Sequence, residues 1–378
     1  MTENRKIAVF RNNFLPLSET FIHTQMKAHK KYTPVVFCNN RLNSEVFPDH
    51  EFISVSQSDS RNNPKKLFYL LTAYSHNFHK SFKKSDFSLI HAHFGHNGVY
   101  ALPYSKKYNL PLIVSVHGHD VSTLLSAEQY FPGNWLYSAG RRELFRHAAL
   151  FLCAGKELCE LLEEAGCPRG KIRLHHMGVD TDLFTPSESF KKDPPVIIMV
   201  GRLVYKKGFE YGIRAVSDVI KSGIDCRLEI IGDGQLRKNL EKSVKENGIS
   251  RYVNFTGFLT PKEVLEKIKN SRILLAPSVV APNFDRDSGL IVAKEALSCG
   301  IPVIGSCHGG LPEIIRTGET GFITPERDHR LMAEYIKTLL KNSELSAKMS
   351  LAARTDMKER YSSTVLNTAL ENIYDSIL

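Results

Sequence analysis

The sequence predicts an α/β protein with two doubly wound parallel sheets. Short apolar stretches alternate with helix-like segments along both halves, which is typical of parallel strands joined by crossover helices. The length of 378 residues suggests two or three domains, of which two equal halves fit best. A polar, proline-rich stretch at 185–195 cannot continue a helix or strand, so we expect the linker between the domains there.

The apolar stretches locate the strands. In the first half they lie at 6–11, 35–37, 89–93 and 112–116, and in the second half at 196–200, 227–231, 273–276 and 302–305. A helix is expected at 19–29, and the stretch 361–374 has apolar residues at helical spacing. The predicted domains are 1–187 and 195–357.

Charge and cysteine content restrict the partners. The net charge of +10 favours an anionic partner, which charge alone does not identify as a nucleotide sugar, a nucleic acid or an acidic membrane surface. No recognised binding module accompanies the charge, so nucleic acid is the weakest of the three. The seven cysteines form no Cys-x-x-Cys pair, which predicts reduced thiols and neither disulfides nor a zinc site.

The sequence also bears on localisation. A strand-like stretch begins near Ile7, without the apolar region of a signal peptide ahead of it. No apolar run approaches the ~18 residues of a membrane-spanning helix. We therefore expect a cytoplasmic protein, at most at the inner face of a membrane.

Two carboxylates mark the stretch from 277 to 313. Asp287 is expected in a loop after the third strand of the second half, and Glu295 lies eight positions later on the following helix. The turn Ser288-Gly289-Leu290 between them allows backbone N–H groups to approach an anion closely. Ligands of open parallel sheets bind outside the carboxyl ends of the strands, so a phosphate-bearing ligand is expected here.

Two cations follow the strand at 196–200. Arg202 offers a planar fork for two phosphate oxygens, and Lys207 offers a movable point charge. Both can reach one diphosphate. Such a pair suits a leaving group that gains negative charge as its bond breaks.

Together these segments resemble glycosyltransferase family 4, which has the GT-B fold of two Rossmann-like domains with a cleft between them. Further blocks that resemble the family, in family order, lie at 230–237, 253–258 and 308–313. The resemblance covers most of the chain. One departure is Asp287, which stands before Ser288 where the family usually has Glu in a Glu-Gly-Phe-Gly-like turn.

The resemblance implies a retaining transferase that takes a sugar from a nucleotide sugar, with a UDP-sugar favoured over a GDP-sugar, and that needs no metal or other cofactor. It implies that Arg202 and Lys207 hold the diphosphate, Asp287 the transferred sugar and Glu295 the ribose. Backbone contacts to the donor would come from Gly201, Gly257, Phe258, Gly289, Leu290 and Ile291. The domain at 195–357 would bind the donor, and a terminal helix at about 358–378 would pack back on the acceptor-binding domain at 1–187.

In the first half, Ser18, Glu19 and Thr20 belong to a segment that resembles Pro-x-x-Ser-Glu-Thr-Phe of one branch, as in transferases of the exopolysaccharide and colanic acid type. Ser18 or Thr20 can cap the next helix, either to point its N-terminus into the cleft or as a plain local cap. The resemblance places His117 near the transferred sugar as an orienting group. It implies a glycan or lipid-linked acceptor in cell-surface polysaccharide or lipopolysaccharide synthesis.

A histidine cluster leaves a metal site open as an alternative. The side chains that permit it are His91, His93, His96, His119 and Asp120. A His-x-His pair on a strand puts both imidazoles on one face, and an aspartate can complete the ligand set of a metallohydrolase. In the alternative that we favour, His93, His119 and Asp120 line the cleft near the acceptor.

The basic, aromatic-rich segment at 65–84 has partial helical periodicity. It either lies on an anionic bilayer or, as we slightly favour, packs its apolar side on the sheet. Two other functions also remain open for the chain, since fold does not fix reaction: a nucleotide-sugar epimerase and a non-catalytic partner in polysaccharide assembly.

Overall fold

The computed structural model describes residues 4–16, 19–45, 50–56, 63–187, 194–288 and 290–378. The chain forms two compact units. The first comprises the residues up to Gly178 together with Ser363–Leu378, and the second comprises Val179–Ser362. No helix of the described residues is both long and apolar enough to cross a bilayer.

The first unit contains a seven-stranded parallel sheet of order β5-β3-β1-β6-β7-β8-β9, and β2 and β4 form a small separate pair. Its strands are β1 Arg5–Phe10, β2 Asn13–Phe14, β3 Tyr32–Cys38, β4 Asn40–Arg41, β5 Glu51–Ser54, β6 Phe87–His93, β7 Leu112–Val116, β8 Leu150–Cys153 and β9 Ile172–Leu174. Every residue of β7 and β8 is buried, as expected for central strands of a parallel sheet covered on both faces.

Helices connect and cover these strands. They are α1 Thr20–Lys27, α2 Pro64–Thr72, α3 His76–Lys84, α4 Gly95–Tyr108, α5 His119–Leu125, α6 Trp135–His147 and α7 Lys156–Glu164. The strand order reverses at the neighbours β1 and β6, where the sheet turns from β3 and β5 on one side to β7 and β8 on the other. The loops after these two strands therefore meet at the carboxyl edge, where Asn12 N–H donates to Asn97 Oδ1 over 3.0 Å.

The second unit has a six-stranded parallel sheet of order β12-β11-β10-β13-β14-β15. Its strands are β10 Val196–Val200, β11 Arg227–Ile231, β12 Val253–Gly257, β13 Ile273–Ala276, β14 Val303–Ser306 and β15 Gly321–Thr324. Its helices are α8 Phe209–Lys221, α9 Arg237–Glu246, α10 Pro261–Lys269, α11 Ile291–Ser298, α12 Leu311–Ile314, α13 His329–Lys341 and α14 Ser343–Asp356. The order reverses at β10 and β13.

The strands predicted for the second half agree with β10, β11 and β13, and the last one begins one residue later than predicted. The expected linker differs more. Residues 179–187 belong to the second unit, because the carbonyl of Phe184 accepts hydrogen bonds from Ser298 Oγ at 2.7 Å and Arg354 Nη1 at 2.8 Å. The rest of the expected linker, 188–193, lies outside the described residues.

The terminal helix α15, Ser363–Ile377, belongs to the first unit. Its buried Glu371 accepts the backbone N–H groups of Lys30 and Lys31 at 2.7 and 2.9 Å, at the turn between α1 and β3. The hydroxyl of Tyr374 lies 2.6 Å from Nδ1 of His91 on β6. These contacts attach α15 to the turn before β3 and to the central strand β6.

Replacing Glu371 with Gln should lower the free energy of unfolding of the first unit by about 2 kcal/mol, because two backbone N–H groups lose a buried, charged acceptor. Urea unfolding followed by the fluorescence of Trp135, the only tryptophan and part of α6, measures this unit. The matched control is Glu45→Gln, at an exposed carboxylate of the same unit. Equal midpoints for the two variants would contradict the assigned role of Glu371.

Candidate functional site

The second unit gathers its candidate residues at the carboxyl ends of β10 and β13, where the strand order reverses. The loop after β10 carries Arg202, whose side chain is exposed, and a short 3-10 turn, Tyr205–Lys207. This turn ends at Gly208, where an added Cβ would lie 1.9 Å from the carbonyl oxygen of Pro277 in the loop after β13. The two loops are therefore in direct backbone contact.

Lys207 and Asp287 form the central ion pair of this site. The distance from Lys207 Nζ to Asp287 Oδ2 is 2.6 Å, and Ser278 Oγ donates to the same oxygen over 3.1 Å. Burial alone would raise the pKa of Asp287, but the charges of Lys207 and Lys206 outweigh it and lower the pKa to about 2. Asp287 is thus a carboxylate at neutral pH, and it fixes the position of Lys207.

A second, parallel pair was not predicted from the sequence. Nζ of the buried Lys206 donates to Asp285 Oδ1 at 3.0 Å and to the carbonyl of Arg286 at 3.1 Å. Consecutive lysines thus bind carboxylates two positions apart. The sequence signal was present as adjacent lysines and an Asp-x-Asp segment, but their pairing joins two distant loops.

His308 supports Asp287 from the backbone side. The N–H of Asp287 donates to His308 Nε2 over 3.0 Å, which requires Nε2 to be unprotonated and places the ring proton on Nδ1. That nitrogen lies 2.7 Å from Oε1 of Glu326, whose other oxygen accepts the N–H of Val280 at 3.1 Å. The sequence marked 308–313 as a block, without a role for His308.

The backbone around Asp287 is also closely packed. Gly309 has a φ of +53°, and a Cβ there would lie 2.1 Å from the carbonyl oxygen of Asp287. Only glycine combines this left-handed conformation with so close an approach. The loop after β14 therefore sets the position of the Asp287 peptide.

Glu295 lies on α11, which begins at Ile291 after Leu290 in a left-handed conformation with a φ of +43°. Glu295 is half-buried, and this burial disfavours the charged form and raises the pKa of its carboxyl group to about 7. The preceding Lys294 is buried, and burial lowers its pKa to about 7 although Glu313 opposes the shift. Glu295 can therefore exchange a proton near neutral pH.

Three of the predicted donor-contact residues adjoin the loop after β10 and the end of β12. Gly201, with a φ of +151°, lies beneath the stem of Lys207, since a Cβ there would be 3.2 Å from Cε of that lysine. Gly257 accepts the N–H of Gly232 at 2.9 Å. The neighbouring Phe258 is 74% exposed, so its ring is open to a ligand.

In the first unit, His117 follows β7 and lies against other rings. Its Nε2 lies 3.2 Å from Nδ1 of His93, and it contacts the rings of Phe21 and Phe94. Burial, together with the charges of Arg11 and His91, lowers the pKa of His117 to about 3. The imidazole is neutral at physiological pH and is suited to hydrogen bonding.

Asp120 lies buried at the start of α5, where it positions neighbouring backbone groups. It accepts the N–H groups of Gly95 at 2.7 Å and His117 at 3.0 Å, and so holds the starts of α4 and α5 together. His119 is exposed on the same helix. The structure brings His93, His117 and Asp120 together at the carboxyl ends of β6 and β7.

The segment before α1 differs from the prediction. Thr20 is the first helical residue and Glu19 precedes it without a side-chain cap, so the predicted capping by Thr20 is wrong. Glu19 instead accepts two hydrogen bonds from Arg11, at 2.8 and 2.6 Å. Ser18, like Gly289 in the second unit, lies outside the described residues.

The histidines considered for a metal site are used otherwise. Nδ1 of His91 is bonded to Tyr374 and Nε2 lies 2.8 Å from Ser115 Oγ, so both ring nitrogens are occupied. His96 lies 3.3 Å from Asn134 Oδ1. Across the described part of the chain, no three His, Cys, Asp or Glu side chains are grouped so that they could hold a metal ion.

Comparisons with known proteins agree with these features. Two family models match consecutive parts of the chain: "Glycosyltransferase Family 4" at residues 24–183 and "Glycosyl transferases group 1" at residues 180–356. Together they span both units.

Similar proteins are known by sequence and by structure. The putative colanic acid biosynthesis glycosyltransferase WcaL of Escherichia coli is 29% identical over 76% of this chain and 70% of its own length. The amylovoran biosynthesis glycosyltransferase AmsK of Erwinia amylovora is 26% identical over 75% of this chain and 69% of its own. The structure of Anabaena Alr3699/HepE in complex with UDP and glucose superposes with a TM-score of 0.78, at 19% identity, over 99% of this chain and 100% of that one.

The two family models, together with two parallel α/β units that match a known structure over nearly the whole chain, lead to one conclusion: this protein belongs to glycosyltransferase family 4 and has the GT-B fold.

Proposed function

We propose that the protein transfers a sugar from a nucleotide sugar to a glycan or lipid-linked acceptor, with retention of the anomeric configuration. The observation that carries the donor assignment is the pairing of Lys207 with Asp287, at the point where the second sheet reverses its strand order. The exposed Arg202 lies on the same loop as Lys207. Ligands of open α/β sheets bind at such a point. The diphosphate is assigned to Arg202 and Lys207.

Asp287 and Glu295 are assigned to hydroxyl groups of the donor. One oxygen of Asp287, Oδ2, accepts hydrogen bonds from Lys207 and Ser278. Because the carboxylate is ionised at neutral pH, its other oxygen can accept hydrogen bonds from hydroxyl groups of the transferred sugar. Glu295, partly exposed on α11, is assigned to the ribose. Backbone groups near Gly201, Gly257, Leu290 and Ile291 complete the donor contacts in this proposal.

The bond that breaks joins the anomeric carbon to the diphosphate, and the new bond joins that carbon to an acceptor oxygen. The leaving diphosphate takes up the acceptor proton and is stabilised by Arg202 and Lys207, as fixed positive charges stabilise developing negative charge. His117 orients the sugar by hydrogen bonds. A pKa of about 3 makes it a poor base, which supports this role. Arg202 and Lys207 supply the charge that magnesium provides in other transferases, so no metal is part of the proposed mechanism.

UDP is the favoured nucleotide, since the similar HepE structure contains UDP. The similarity to WcaL and AmsK, named for colanic acid and amylovoran biosynthesis, supports a place in the synthesis of a cell-surface polysaccharide. A lipid-linked acceptor in such a synthesis would require the protein to work at the inner face of a membrane.

The donor site is tested by thermal shifts with UDP, GDP, ADP and their sugar conjugates, with and without EDTA. We expect one nucleotide family to raise the melting temperature in the presence of EDTA, because binding stabilises the folded state by mass action. Arg202→Ala should weaken that nucleotide by at least about tenfold, since it removes charge-assisted hydrogen bonds. The control Arg330→Ala changes an exposed arginine of the same unit and should bind normally. No shift with any nucleotide, or one that EDTA abolishes, would overturn the proposal.

Gly309→Ala should reduce nucleotide-sugar affinity by at least about tenfold, because its Cβ displaces the carbonyl of Asp287 and with it the partner of Lys207. Gly318→Ala is the matched control. It has the same left-handed requirement, with a φ of +84°, but open space around the new Cβ. Both variants should lose about 1 kcal/mol of stability from backbone strain. Equal donor affinities in isothermal titration would show that the close contact at Gly309 is unimportant for binding.

Donor affinity should rise with pH near neutrality, because only ionised Glu295 accepts two hydroxyl hydrogen bonds. The pKa of Glu295 in the folded protein, about 7, exceeds the usual 4.5. Protonated Glu295 therefore contributes folding stability that is fully present below about pH 4.5 and is lost as the pH rises through about 7. Titration with UDP-glucose, whose diphosphate diester keeps its charge in this range, should show affinity falling up to about tenfold per unit below the pKa.

Glu295→Gln should bind UDP-glucose with little change over the same pH range. The variant retains Lys294, whose pKa is also about 7, so the pH dependence that persists in it measures the contribution of the lysine. A variant with the full pH dependence of the wild type would remove Glu295 from the donor site.

A further inference from the structure

Helix α2 of the first unit exposes its apolar face to solvent, whereas an ordinary surface helix buries that face. Leu67, Phe68 and Leu71 point to solvent and are 58%, 53% and 51% exposed, and Leu70 and Tyr74 are exposed beside them. The packing of this apolar side on the sheet, slightly favoured from the sequence, is wrong for α2. A soluble helix normally buries such residues.

The inward face of α2 explains the reversal. Lys66 is buried and its Nζ donates to Asn40 Oδ1 over 2.9 Å, and the buried Tyr69 donates to Asn12 Oδ1 over 3.1 Å. Since Lys66 and Tyr69 lie three positions apart, they share one face of the helix. These hydrogen bonds hold the face with Lys66 and Tyr69 against the protein, so the apolar face on the opposite side of the helix is exposed to solvent.

The exposed charged side chains of α2 and of the next helix, α3, are all basic. Lys65 on α2 and Lys80, Lys83 and Lys84 on α3 are all exposed, and residues 63–85 include no aspartate or glutamate. Helix α3 packs in the ordinary way, with Phe78 and Phe82 buried against the core. Helix α2 thus exposes an apolar strip, and the exposed charges of α2 and α3 are all positive.

We propose that α2 and α3 form a docking surface for an anionic lipid bilayer, with the exposed side chains of α2 inserted among the headgroups and the lysines bound to lipid phosphates. A helix of nine residues is about 14 Å long, too short to cross a bilayer and suited to lie in the interface plane. A second copy of this chain fits less well. An isologous pairing through this face would bring the lysines of both copies together without a carboxylate from 63–85 to compensate them.

Cosedimentation with phosphatidylcholine vesicles, made with and without phosphatidylglycerol, tests this surface. The wild type should bind the phosphatidylglycerol vesicles, less so at high salt, and should bind pure phosphatidylcholine more weakly. The variant Leu67→Gln/Leu71→Gln should bind at least about tenfold more weakly, because it removes two inserting side chains. Lys80→Gln/Lys84→Gln should lose about fivefold per lysine on the anionic vesicles alone.

The matched control is Leu351→Gln, which removes a leucine that is 72% exposed on α14 of the second unit and should leave vesicle binding unchanged. All variants should keep the melting temperature of the wild type without ligand, which shows that they are folded. Vesicle binding needs neither donor nor acceptor, so its outcome is separate from that of the transferase proposal.

Two results would overturn the docking surface. One is equal vesicle binding by the wild type and the Leu67→Gln/Leu71→Gln variant, or no binding by either. The other is a wild type that sediments as a dimer and becomes monomeric in that variant while vesicle binding stays the same, which would assign the apolar strip to a second copy of the chain.

Discussion

The ion pair between Lys207 and Asp287 is the contact on which the candidate site of the second unit depends. It joins the loop after β10 to the loop after β13 across 2.6 Å, at the reversal of strand order. Burying a carboxylate is costly unless it is paired and hydrogen-bonded. Asp287 is both, since Ser278 and two lysine charges surround its side chain.

The same residue is held through its backbone. His308 accepts its N–H, and Gly309 leaves room for its carbonyl. Three loops, after β10, β13 and β14, therefore converge on one peptide unit. A shorter aspartate at this position suits such a site, because the surrounding contacts bring the backbone close enough for its short side chain to reach Lys207. Glu295, one helix away, has a different environment, in which burial keeps a proton available near pH 7.

The sequence predicted β10, β11, β13 and β14 of the second sheet, because parallel strands buried on both faces are continuous apolar runs that can be read from the sequence. It did not predict the two edge strands, β12 and β15. It also predicted Arg202, Lys207 and Asp287, whose positions at strand ends follow from the order of elements. The roles of Lys206 and His308 could not be predicted from the sequence, because each depends on a contact with a loop that is distant in the chain. The orientation of α2 could not be predicted for a related reason. Helical periodicity shows that the helix has an apolar face, but the tertiary hydrogen bonds of Lys66 and Tyr69 decide which face is turned inward.

Helix α15 makes the first unit discontinuous in sequence, since its last helix is separated from the rest by the entire second unit. During synthesis the second unit can therefore complete its fold while the first still lacks the partner of His91 and of the turn at Lys30. Until α15 is present, two backbone N–H groups lack the carboxylate that accepts their hydrogen bonds, and the ring of Tyr32 lacks its contact with Tyr374. The part of the molecule translated first is thus the part that matures last.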